Sequence, residues 1–182
     1  LAGGVSGAFL NAVILVVITC SNVETFRAAM LWIMGCFSGA AAEGVATVAF
    51  WVVPALLGLV FLARPLNLLS VGEQSAFHMG VDVPRFKVVL YVVTSLIVGV
   101  CVAGAGAIGF VGLVVPHALR LVGGSDHRWL LPASALSGGI FMVAADTVAR
   151  VVVAPAELPV GVVTALVGVP VFLWLLLRFD EL

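Results

Sequence analysis

The side chains able to do chemistry are few in this chain, and their spacing speaks against most reactions. His78, His117 and His127 stand at irregular intervals, with no Cys or Glu companion at metal-ligand spacing, so no metal site is expected. Cys20, Cys36 and Cys101 are odd in number and lie in apolar runs. They read as packing residues rather than a disulfide framework. An intramembrane hydrolase would need a nucleophile paired with a base; His117 is the candidate base, and no G-x-S-x-G accompanies it. No G-x-x-x-x-G-K-[ST] loop is present, so any ATP must be hydrolysed by another subunit. Asp146 and Arg150 are four residues apart, which puts both on one helix face. Charges at lipid depth are costly unless paired or turned to a cavity, and a structural ion pair is the plain reading. A secondary transporter or channel would expect an ionisable relay at mid-membrane, whereas this pair falls off-centre.

The elements that must carry these residues follow from composition. Of 182 residues 63% are hydrophobic and 9% charged, with a mean hydropathy of +1.30. Soluble domains carry about a quarter charged residues, and this chain could not cover a globule in water. Its net charge of −1 offers no field for nucleic acid. An all-α integral membrane fold is expected, because a helix satisfies its own backbone in lipid.

A bilayer core takes roughly 20 apolar residues per helix. Apolar stretches with few or no charges give spans at about 1–20, 44–63, 88–106, 109–121, 131–152 and 158–177, with Pro54 inside the second as a tolerated kink site. The run 88–116 is too long for one untilted helix and is punctuated by Gly104, Gly106, Gly109 and Gly112, so it is read as two. The segment 24–39 is too short to span and suits an interfacial or re-entrant helix. Glu43, where that segment enters the second span, reads as a boundary residue. All of 1–182 forms one transmembrane domain, a polytopic bundle of about six spans. The chain opens at Leu1 on an apolar run without a Met or a basic leader, which predicts a fragment lacking N-terminal spans.

Six spans place Arg64, Arg85, Lys87, Arg120, Arg128 and Arg178 on one side and Arg27 and Arg150 on the other. By the positive-inside rule the loop 64–87, the loop 120–130 and the C-terminus face the cytoplasm. Merging 88–106 with 109–121 would break that pattern.

The loop 64–87 is the longest polar stretch. Within it Gly72 permits a close turn, Glu73 suits a helix N-terminus, and Gly80 suits a C-cap. A short amphipathic helix held outside the membrane is what a permease needs to receive force from a soluble motor; an ordinary solvated loop is the alternative. His117 and Arg120 sit at the mouth of the fourth span, followed by Asp126, His127 and Arg128. They either shape a partner-facing surface or anchor the helix ends at headgroup level. Glu157 and Pro159 read as capping the last helix.

The segments L-N-L-L-S-V-G-E-Q-S-A-F-H-M-G-V (66–81), G-A-I-G-F-V-G-L-V-V-P-H-A-L-R (106–120), D-H-R-W-L-L-P (126–132), A-D-T-V-A-R (145–150) and A-E-L-P-V-G-V-V-T (156–164) together resemble the FecCD-type permeases. These are membrane subunits of bacterial ABC importers for ferric siderophores, haem and cobalamin. The resemblance implies a ten-span permease of which this chain corresponds to spans five to ten, seated in the inner membrane, and it puts 66–81 and 117–128 in the cytoplasm. It implies that Gly72, Glu73, Ser75, Ala76 and Gly80 form the coupling helices gripped by an ATP-binding subunit. Phe77-His78 departs from the Ala-Arg of many relatives. It implies that Arg150 docks an acidic residue of an extracytoplasmic binding protein. It further implies a second permease copy, two cytoplasmic ATP-binding subunits, ATP used by those partners, and no cofactor on this chain. The chelate itself is not encoded in these motifs; ferric siderophore is the first expectation, then haem and cobalamin.

Overall fold

The computed structural model describes residues 2–19, 22–152 and 158–179; Cys20 and Glu157, and the side chain of Arg178, lie outside them. The described residues form helices and connecting loops without a strand. In chain order the helices are α1 (Ala2–Thr19), α2 (Val23–Met34), α3 (Ala42–Phe61), α4 (Ala63–Val71), α5 (Glu73–His78), α6 (Val83–Ala105), α7 (Val111–Gly123), α8 (His127–Val151) and α9 (Val160–Phe179).

Three of them, α3, α6 and α8, are long and apolar enough to cross a bilayer. α1 and α9 are apolar helices of 18 and 20 residues. α7 has only 13 residues, about 20 Å at 1.5 Å per residue, short of a hydrocarbon core about 30 Å thick. Large apolar side chains such as Phe61, Leu136 and Ile140 stand exposed along the helices, as expected where lipid or further helices are the solvent.

α3 packs on α6, α7 and α9 pack on α8 and on one another, and α4 packs on both α5 and α8. The charge-free run 88–116 breaks where expected. Gly106, at φ +77, ends α6, and Phe110, at φ +66, precedes α7. α2 is the short helix expected between the first two spans. Asn22 caps it, accepting the Thr25 amide at 2.9 Å, and Gly35 ends it at φ +76. The span expected over 44–63 stops at Phe61; Ala63 is already the buried start of α4.

The breaks after α2, after α6 and before α9 meet at one junction. Cys36 N–H donates to the Ala105 carbonyl at 3.0 Å, and Gly161 N–H donates to the Gly35 carbonyl at 3.3 Å. Backbone groups released by helix ends are thus satisfied by other helix ends, as an apolar environment requires. The approach is close enough that a Cβ on Gly106 would meet the Trp32 carbonyl, and one on Gly161 the Met34 carbonyl. Beside this junction Ala145 and Ala149 of α8 pack with Val160 and Val163 of α9, flanked by Phe37, Ile108, Met142 and Leu158. Pro159 precedes α9 and its carbonyl accepts the Val162 amide at 3.1 Å.

Candidate coupling surface

The loop between α3 and α6 folds as two short helices at the end of the bundle where α3 stops and α6 and α8 begin. α4 ends at Gly72, whose φ of +141 turns the chain directly into α5. Glu73 is the first residue of α5, in the turn where a negative charge suits the helix dipole. α5 closes as a Schellman turn. Gly80, at φ +87, donates to the Phe77 carbonyl and Val81 to the Ala76 carbonyl, both at 3.0 Å. Gly80 meets that left-handed conformation without a Cβ penalty.

α5 has an inner and an outer side. Ala76 is fully buried and Ser75 half-buried, whereas Glu73, Phe77, His78, Met79 and Gly80 are exposed. Phe77 is 67% exposed and Met79 53%, an apolar pair on the outer side of α5. Lys87 of α6 reaches back to Glu73 at 2.5 Å. Asp82 caps α6 by accepting the Arg85 amide at 3.3 Å.

Asn67 of α4 ties this unit to the turn between α7 and α8. Its side-chain N–H donates to Asp126 Oδ1 at 2.6 Å. Its Oδ1 accepts the His127 amide at 2.8 Å and His127 Nδ1 at 2.7 Å, which requires the Nδ1–H form of that ring. Asp126 in turn caps α8 by accepting the Arg128 amide at 2.9 Å. That backbone bond, and then the Asn67 amide, hold the Asp126 carboxyl below its ordinary range. The motif 66–81 contains Asn67, but no local pattern in the sequence shows this role. Its signal there is a lone amide among Leu66, Leu68 and Leu69.

Of the residues expected at this end, Arg120, Asp126 and Arg128 are exposed. His117 is turned back along α7: its Nδ1 contacts the Leu113 carbonyl at 2.8 Å, and its ring meets Phe172 of α9 edge-on at 6.4 Å. Arg150 lies at the opposite end of α8, roughly 35 Å from His127 at 1.5 Å per residue. Its Nε pairs with Asp146 at 2.8 Å, the ion pair expected from their spacing.

Known proteins match both the sequence and the arrangement of these helices. The model of the FecCD transport family matches residues 1–178. The chain is 42% identical over 181 residues to a hemin transport system permease protein of Yersinia pestis, covering 100% of this chain and 54% of the relative. It is 46% identical over 178 residues to a vitamin B12 import system permease protein of Salmonella schwarzengrund, covering 98% and 54%. A solved metal-chelate type ABC transporter in an inward-facing conformation superposes with a TM-score of 0.85 at 31% identity, over 97% of this chain and 57% of that one. The chain spans about half the length of the curated relatives it matches. It is a multi-pass helical membrane protein and belongs to the FecCD transport family.

Proposed function

We propose that this chain is part of the membrane-spanning permease of an ABC importer, moving a metal chelate (ferric siderophore, haem or cobalamin) inward by alternating access without chemistry on the substrate. α5 is the coupling helix. It stands outside the spans, anchored by buried Ala76, and presents exposed Phe77 and Met79. Exposed aromatic and Met side chains are what a protein partner recognises, and this observation carries the reading. The partner is a cytoplasmic ATP-binding subunit, one of two. A second permease copy completes the pathway. The excess of lysine and arginine on the α5 side supports a cytoplasmic position for α5, in a bacterial plasma membrane on this reading. Arg150, at the other end of α8, then faces an extracytoplasmic binding protein and docks an acidic side chain of it.

The test is uptake by the native complex reconstituted in vesicles with its binding protein, against a panel of ferric siderophore, haem and cobalamin. Uptake of one chelate that requires ATP is the expected result. Transport that follows an ion gradient and ignores ATP would replace this reading with a secondary transporter.

A further inference from the structure

We propose that Asn67 is a positioning residue that locks the coupling helix to the start of α8, so that displacement of α5 is passed to α8 as one rigid step; this rests on the importer reading above. Both polar atoms of the Asn67 amide are used, one on the Asp126 carboxylate and one on the His127 amide and ring. The partners are the N-cap Asp126 and the first residue of α8, His127, and one of the bonds comes from the His127 backbone amide itself. α4 also packs on both α5 and α8, so the amide lies at the point where the outer loop meets a spanning helix. Asn67 and His127 are half-buried, which limits competition from water for the two bonds to His127, whereas Asp126 is exposed. α8 carries the Asp146–Arg150 pair at its far end, so one helix joins the motor side to the opposite face. α5 is packed on α4, so its displacement moves α4, and without Asn67 only side-chain packing would pass that movement from α4 to α8.

The substitution Asn67→Asp sets two carboxylates against each other and removes the donor. The double substitution Asn67→Asp with Asp126→Asn restores a donor and an acceptor once the 126 amide turns, and Asn caps a helix as well as Asp does. Two readouts in the native complex separate the roles: chelate moved per ATP hydrolysed, and the amount of ATP-binding subunit retained on the permease. The expectation is a fall of about tenfold in chelate per ATP for Asn67→Asp, the scale of one charge-assisted hydrogen bond. Subunit retention should stay within twofold, and the double variant should recover most of the loss. Unchanged chelate per ATP in Asn67→Asp would overturn the clamp alone. Equal losses of retention and uptake, or no recovery in the double variant, would reduce Asn67 to a structural residue. Absence of ATP-dependent uptake in the unsubstituted complex would instead overturn the importer reading.

Discussion

Gly161 donates its amide to the carbonyl of Gly35 at 3.3 Å, joining the first turn of α9 to the end of α2 across more than a hundred residues of chain. The contact exists because neither residue carries a side chain at the point of approach. A methyl group on Gly161 would run into the Met34 carbonyl, which is backbone and cannot rotate away.

The substitution Gly161→Ala is therefore expected to destabilise the bundle by about 2 kcal/mol, the range for forced overpacking. Gly99→Ala is the control: it lies inside α6 with open space around it, and alanine there should be neutral or slightly stabilising. Thermal unfolding in detergent compares the two. Equal melting temperatures would mean the junction yields where its geometry says it cannot.

Phe77→Ala tests the outer side of α5 without touching its anchor. Phe77 is exposed and outside the buried core, so its loss should leave permease stability within about 0.5 kcal/mol. Affinity for the ATP-binding subunit should fall by about 1–2 kcal/mol, as for an apolar anchor at an interface. Titration of purified subunit onto the permease measures this. A lower melting point with unchanged affinity would assign Phe77 to the fold instead.

Asp126 contributes a pH dependence at the acid end to the α7–α8 turn. Its folded carboxyl is held low by the Arg128 amide and then by Asn67, so it binds its proton less readily than in the unfolded chain. Its contribution is fully present above the unfolded value of about 3.9 and is lost as pH falls through the lower folded value. Carboxyl carbon shifts of labelled Asp126 should show it ionised at pH values where an unfolded aspartate is half-protonated. Titration at the ordinary aspartate value would contradict the bonds drawn to Asn67 and Arg128.

Much of this architecture is legible in residue order because lipid imposes simple lengths. The break at 106–110 is readable since 29 charge-free residues exceed one span and glycines mark the joint. α5 is readable because Gly72 and Gly80 bracket it, each at a positive φ. The Asn67–Asp126 bond is not readable, for it joins positions 59 residues apart and an asparagine in a short helix has many possible partners. The retreat of His117 onto Leu113 and Phe172 depends on how α7 sits against α9, which no local pattern encodes. The junction itself is built largely from backbone bonds, which any residue but proline could make, so the sequence marks only its glycines.

The junction also has a consequence for how the chain is made. Its bonds join the end of α2, the end of α6 and the start of α9, and synthesis delivers those three in that order. Until α9 has entered the membrane, the Gly35 carbonyl waits at that junction without the Gly161 amide. Insertion of the earlier helices and closure of this end are thus separate events in time. A chain stopped before residue 160 would have the ends of α2 and α6 joined through Cys36 and Ala105 but would lack the bond from Gly161.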